Sequence, residues 1–430
     1  MAWITVANQE LKLTLTRGEK IAGLHGDIRV PVSAVRDVRV APDALAAARG
    51  LRAPGLALPG RVKIGTWRGG GRRFIVARRG IPAVHVFLEG AHYDELVVSL
   101  PGAERVAAGL RGQLGLPPGD DSVRELQVSV PVRGGRLAGA LMLPAGPGPY
   151  PAALLLPGSG PIDRDADLPR MPLGVSRDLA RALAERGVAT LRYDKRGVGA
   201  SDGSFLETGL LDNVDDARDA LNWLRAREEV RGEVVLIGHS EGALLATALG
   251  DEPLAGVVLL AGSAKTGMQT LAWQTRQIAA GLPRPVKLLL RVLRVDVAAK
   301  QAKNVNKLRA TTTDVARVGP RKVNARWHRE LFAFDPAPML SRMRAPVLAL
   351  TGAKDIQVDP ADLEQIAELS GAETVCVPDL THLLRRDPGT PSVSAYKRLV
   401  REPIDPEVVR TVGDWVAGRF ATEAEHAGQR

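Results

Sequence analysis

Val234-Val235-Leu236-Ile237-Gly238-His239-Ser240-Glu241-Gly242-Ala243-Leu244-Leu245-Ala246 is the stretch on which the fold turns. Its first four residues are aliphatic without interruption, the composition of a strand buried on both faces. The last four favour helix and contain no breaker. Between them stands G-x-S-x-G, whose glycines permit close backbone approach while a sharp turn lifts the serine hydroxyl above the end of a sheet. In a chain with 45 glycines the pentapeptide alone means little. Flanked by a strand and a helix, it reads as a nucleophile elbow at Ser240.

Working outward, the chain from Val123 alternates apolar strands with longer helical segments, the signature of βαβ units and a parallel sheet. Strands are expected at Leu126 to Val132, Leu137 to Leu143, Ala152 to Leu156, Val188 to Tyr193, Val234 to Ile237, Val257 to Leu260, Val347 to Leu350 and Thr374 to Val377. Helices fit between them at Leu173 to Arg186, Leu210 to Arg227, Glu241 to Ala248, Pro360 to Leu369 and Asp405 to Phe420. The gap 264–345 is too long for a βα loop and reads as a lid-like insertion with its own helices, among them Leu271 to Ala280 and Val286 to Asn304.

The first 115 residues differ. Short alternating runs such as Leu11-Lys12-Leu13-Thr14-Leu15 and Phe74-Ile75-Val76-Ala77 are broken by Gly and Pro, and one amphipathic helix follows near Ala103 to Leu110. This predicts a small mostly-β domain over 1–115, a linker over 116–122 and an α/β domain over 123–430. Strands closed by a C-terminal helix resemble the pleckstrin-homology-like units of some bacterial proteins.

A length of 430 residues exceeds what one hydrophobic core usually spans, and 45% hydrophobic with 25% charged residues is ordinary for folded domains. Neither a bilayer-length apolar run nor the basic start and apolar run of a signal peptide is seen, so a cytoplasmic protein is expected. Cys376 sits in an apolar strand-like run and reads as buried packing. The net charge of +10 is uneven: residues 264–345 carry 17 Lys and Arg against 4 Asp and Glu. That excess is either a solvated face or a patch for anionic partners. Because aromatics are few and nucleic-acid signatures missing, nucleic acid is not expected; peripheral contact of this insertion or the β domain with an anionic membrane or a protein stays open as the alternative to a solvated face.

A serine hydroxyl needs a neighbouring base to take its proton. Of the histidines after Ser240, His426 lies in the polar tail and His328 within the basic insertion beside Trp327. His382 follows the last strand and the turn Pro378-Asp379-Leu380-Thr381, the place for a general base. Asp355, just past the strand Val347 to Leu350, is placed to orient the imidazole. Asp359 is its rival, although preceding Pro360 gives it an N-cap role. For an oxyanion, the amide of Glu241 is one donor, and the loop Leu156-Pro157-Gly158-Ser159-Gly160-Pro161 offers Ser159, or Gly160 beside it, as the second.

Asp163, Arg164 and Asp165 are expected to brace that loop by ion pairing rather than to hold a metal. The run Tyr193 to Gly203 fails the spacing of a dinucleotide fingerprint and reads as a structural turn. Trp273, Leu282 and Phe332 either line the site from the insertion or pack against the sheet edge.

Taken in order, Gly158-Ser159-Gly160-Pro161 with Asp163-Arg164-Asp165, Arg196-Gly197-Val198-Gly199-Ala200-Ser201, the elbow, Asp355-Ile356-Gln357-Val358 and His382-Leu383-Leu384 resemble bacterial esterases of the serine-aminopeptidase-like branch of the α/β hydrolases. The resemblance implies the α/β-hydrolase fold and hydrolysis of small or medium acyl esters through an acyl-enzyme, without a cofactor. A peptidase or amidase using the same residues, or an adaptor recruited to a membrane or protein, are the alternatives.

Overall fold

Alternation of apolar and polar residues sets the first of two units, Met1–Arg124 and Glu125–Arg430. The computed structural model describes residues 2–41, 44–48, 51–69, 71–116, 123–145, 148–169, 171–282, 284–294 and 296–427. In the first unit these form β1 (Trp3–Ala7), β2 (Glu10–Thr14), α1 (Arg17–Gly23), β3 (Ile28–Pro31), β4 (Val35–Ala41), α2 (Ala44–Ala47), β5 (Leu51–Leu58), β6 (Val62–Arg68), β7 (Arg72–Arg78), β8 (Ala83–Leu88), β9 (Glu95–Ser99) and α3 (Ala103–Gln113).

One sheet has the order β1-β2-β3 and the other β4-β8-β9-β7-β6-β5, antiparallel except where β7 runs parallel to β9. Leu11, Leu13, Phe74 and Leu96 are fully buried between them. The i, i+4, i+7 stripe Ala103, Ala107 and Leu110 of α3 closes the same core. Most of the expected linker, residues 117–122, lies outside the described residues.

The second unit comprises β10 (Arg124–Val132), β11 (Gly135–Leu143), β12 (Tyr150–Leu156), α4 (Val175–Ala184), β13 (Ala189–Tyr193), α5 (Leu210–Arg225), β14 (Val230–His239), α6 (Glu241–Ala248) and β15 (Leu254–Leu260). The insertion follows with α7 (Gly267–Ala280), α8 (Arg284–Val292), α9 (Val297–Arg309), β16 (Val315–Val318), β17 (Arg321–Asn324), α10 (Ala325–Ala333) and α11 (Ala337–Leu340). The chain then returns to the sheet as β18 (Val347–Gly352), α12 (Asp362–Ser370), β19 (Glu373–Val377), α13 (Tyr396–Leu399) and α14 (Pro406–Ala427).

Its eight-stranded sheet has the order β10-β11-β13-β12-β14-β15-β18-β19, antiparallel between β11 and β13 and parallel from β13 to β19. This is the α/β-hydrolase fold, with helices on both faces. Period-2 alternation on β12 sends Ala152, Leu154 and Leu156 into the core shared with Leu210, Ala217 and Leu221 of α5. Ala153 and Leu155 point the other way, into the core of Leu179 and Leu183 of α4 and Val408, Val412 and Val416 of α14. A strand covered on both faces has to be apolar at every position, which is why these strands read as uninterrupted runs.

Two expectations fail. The single helix Val286 to Asn304 is two helices, because Asp296 adopts an extended backbone and its side chain accepts from the Ala299 amide, starting α9 afresh. Arg294 just before it has a φ of 52°. Cys376 is exposed rather than buried. It lies on the edge strand β19, and the face it shares with Thr374 faces solvent. No described helix is long and apolar enough to cross a membrane.

Candidate active site

Central strand β14 ends at His239, and the chain turns at Ser240 with φ 58° and ψ −115° before entering α6. Such a conformation is sparsely populated for a side chain larger than glycine and persists only where surrounding structure enforces it. Here the Ser240 amide donates to the Leu260 carbonyl on the neighbouring strand at 2.9 Å. Both flanking glycines are obligatory. A Cβ on Gly238 would stand 2.0 Å from the Gly242 oxygen, and one on Gly242 2.3 Å from the Leu156 oxygen.

His382 and Asp355 reach Ser240 from loops after β19 and β18. His382 Nε2 lies 3.1 Å from Ser240 Oγ, and its Nδ1–H donates to Asp355 Oδ2 at 2.8 Å. The other Asp355 oxygen accepts from the amides of Gln357 and Val358 at 2.7 and 2.9 Å, fixing the carboxylate. Asp355 and His382 are both 4% exposed. The rivals lie elsewhere. His328 Nδ1 bonds the Asn324 carbonyl within α10, and His426 belongs to α14. Asp359 is not the N-cap of α12, a place that Ala361 takes because the helix starts only at Asp362; one Asp359 oxygen accepts from the Ala361 amide at 3.1 Å in the turn before the helix and the other pairs with Lys265 at 3.0 Å.

Lys265 also pairs with Asp362. Partial burial works against its charge, yet the two carboxylates prevail and hold its pKa above the usual range. The start of the insertion is thereby tied to the end of the sheet.

Two ties around the elbow have no counterpart in the expectations above. His239, the residue before Ser240, donates Nε2–H to the His382 carbonyl at 2.9 Å. Burial, then the neighbouring His382, lowers its pKa to about 3, so it stays neutral. Glu241 accepts from Lys195 Nζ at 2.9 Å and from Asn213 Nδ2 at 3.0 Å. Lys195 Nζ also reaches the Gly158 carbonyl at 3.2 Å, linking the elbow to the loop that carries Ser159. The turn Tyr193 to Gly203 is thus structural, but it also delivers a buried cation. The loop is held from outside by Arg164, whose guanidinium grips Asp194 at 2.7 Å and 3.0 Å. Asp165 pairs with Arg192 at 3.0 Å.

A cavity of about 140 Å³ opens over Ser240, lined by Ser159, Glu241, Leu244, Gln357 and Val358 of the α/β core and by Thr270, Leu271, Gln274, Trp327, Leu331 and Phe334 of the insertion. Ser159 faces this cavity, while Gly160 is not among its lining and has a φ of 99°. Of Trp273, Leu282 and Phe332, read as either lining the site or packing against the sheet edge, none is in the cavity lining. Phe332 packs into the insertion's own small core with Val305, Leu308 and Ala325. Leu282 lines a separate hollow beside Ile278 and Ile356. Trp273 is rotated about 100° from Gln274 around α7, off the face turned to Ser240. Among the described residues no group of three or more His, Cys, Asp or Glu is placed to hold a metal ion.

Residues 173–389 match the family described as serine aminopeptidase, S33. Esterase EstD of Thermotoga maritima is 28% identical over 286 residues, a stretch spanning 65% of this chain and 65% of that protein's length. Among solved structures, Est1E from Butyrivibrio proteoclasticus with bound ferulic acid is 18% identical, with a TM-score of 0.48 over 68% of this chain and 99% of that one. The esterase domain of a Rhodothermus marinus protein is 20% identical, with a TM-score of 0.42 over 68% and 98% of the two chains.

Proposed function

We propose that this chain, which belongs to the serine aminopeptidase, S33, family, hydrolyses carboxylic esters of small or medium acyl groups through an acyl-enzyme on Ser240. The observation that carries this reading is the continuous relay Ser240 Oγ, His382 Nε2, His382 Nδ1, Asp355 Oδ2, with steps of 3.1 and 2.8 Å. His382 takes the hydroxyl proton as Ser240 attacks the ester carbonyl, and Asp355 holds the imidazole in the tautomer that can accept it. The oxyanion so formed is received by the amides of Glu241 and Ser159, with Gly160 the alternative to the latter. On collapse His382 returns the proton to the departing alkoxide. Water, deprotonated by the same imidazole, then releases the acid and restores Ser240.

Two observations favour an ester over a peptide with a free amino terminus. The cavity's roughly 140 Å³ is close to the ~150 Å³ that accommodates benzene, room for a short acyl group. An aminopeptidase also needs a carboxylate free to receive the substrate ammonium. Among the described residues Glu241 is the only carboxylate in the lining. One of its oxygens is taken by Lys195 and Asn213 and the other is sealed from solvent. The curated relative is likewise named an esterase.

The test is a chain-length series of p-nitrophenyl esters beside amino-acid p-nitroanilides, with intact mass after fluorophosphonate treatment. The expected result is turnover of the short esters, little of the anilides, and one adduct that Ser240→Ala abolishes. Faster turnover of anilides, or an adduct that persists in the variant, would refute the reading.

A further inference from the structure

Thirteen large apolar side chains are exposed among the described residues, and five of them fall within eight positions of the insertion: Val286, Leu288, Leu289, Val292 and Leu293. Leu288, Leu289, Val292 and Leu293 are 57–70% exposed. Water contact over so much aliphatic surface is costly, and such clusters mark interaction surfaces. Helical spacing sorts the segment into two sides. Leu288 with Val292 and Leu289 with Leu293 stand at i, i+4 on one side, while Lys287 and Arg291 stand at i, i+4 on the opposite one, with Arg294 just past the helix end.

We infer that α8 is an interfacial helix that docks the insertion on an anionic lipid surface, its aliphatic face in the acyl boundary and its cations among the headgroups. Charge decides between occupants. Residues 264–345 carry 17 basic against 4 acidic residues, and Lys300, Lys303, Lys307 and Arg309 of α9 are exposed beside α8 in the chain. A second copy would bring the same excess of positive charge against itself. Nucleic acid would meet leucine and valine, which offer no ring for base stacking. An anionic bilayer matches both faces.

The same insertion also carries an apolar groove of about 650 Å³ between α7 and α9, and Leu271 lines both that groove and the cavity over Ser240. The inference rests on the surface of α8 and not on the chemistry of Ser240.

Sedimentation of the full chain with vesicles tests it, comparing phosphatidylcholine alone with equal parts phosphatidylcholine and phosphatidylglycerol. Wild type and Ser240→Ala are expected to bind the anionic vesicles alike, with binding weakened by added salt. Leu289→Asp with Val292→Asp lowers the partition coefficient at least about tenfold, and Arg291→Gln or Arg294→Gln lowers it about fivefold each. Because these side chains are exposed, all the variants melt with the wild type. Failure of the wild type to bind, equal binding by the folded variants, or a dimer that Leu289→Asp dissolves would overturn the inference.

Discussion

His239 Nε2 donates to the backbone carbonyl of His382 across 2.9 Å, so the residue that precedes Ser240 holds the loop that carries His382. A 1 Å shift of His382 is enough to spoil proton transfer. His239→Phe keeps an aromatic ring but loses the donor. Its kcat for a soluble p-nitrophenyl ester is expected to fall about ten- to a hundredfold with KM little changed. A change confined to KM would place His239 in binding instead.

The same histidine makes stability depend on acidity. Its folded pKa is about 3 against an unfolded value of about 6.5, so between those values the unfolded chain takes up a proton that the folded chain refuses. Stability is therefore present above pH 6.5 and drains away as pH falls toward 3. Integrated from pH 7 to 5, this one group removes about 2 kcal/mol. Urea unfolding at the two pH values reads it as a drop that is smaller by that amount in His239→Gln.

Asp355 and Asp359 are four residues apart and have separable roles. Asp355→Asn leaves the geometry but favours the wrong tautomer of His382, and kcat is expected to fall about ten-thousandfold. Asp359→Asn weakens only the tie to Lys265, which keeps Asp362, and kcat stays within about tenfold of wild type. Steady-state kinetics on one soluble ester suffice, and equal losses in the two variants would contradict the assignment.

Lys195 and Glu241 form a buried ion pair with side chains only 3% and 2% exposed. Removing one partner strands a charge without solvent, so Lys195→Met is expected to cost about 3–5 kcal/mol in urea unfolding. Lys195→Met combined with Glu241→Gln leaves no charge behind and recovers most of that loss. A double variant as unstable as the sum of the singles would show that the pair is not coupled.

These cases also mark where sequence reading succeeds and where it stops. Strands β12, β14 and β15 were legible because a strand covered on both faces must be apolar throughout. Ser240 and Asp355 were legible because each follows such a strand, and His382 because it follows the last strand of the series. Lys195 was not, since burying a lysine in a turn requires a partner 46 positions away that local pattern does not announce. Nor was the lining of the cavity. Which side of α7 or α10 meets Ser240 depends on how the insertion packs Val305, Leu308, Ala325 and Phe332 into its own core, a tertiary choice that leaves Phe332 turned inward. Asp296 did carry a local signal, being an N-cap residue within an otherwise helical run, and it is there that the expected single helix divides.

Gly242 offers a last discrimination, between a glycine that the elbow requires and one that merely occupies it. Its absent Cβ would fall 2.3 Å from the Leu156 oxygen and 3.1 Å from the Pro157 oxygen, backbone atoms at the end of β12 that cannot step aside without disturbing the loop to Ser159. At Gly418, by contrast, none of the described residues outside the backbone of its own helix α14 comes within 4 Å of the same position. Gly242→Ala is therefore expected to destabilise the protein by more than about 2 kcal/mol and to slow fluorophosphonate labelling of whatever remains folded. Gly418→Ala, in a helix interior, is expected to stabilise it by about 0.5–1 kcal/mol and to label at the wild-type rate. Thermal melts and labelling time courses on the two variants separate close approach at the nucleophile from a general intolerance of alanine for glycine.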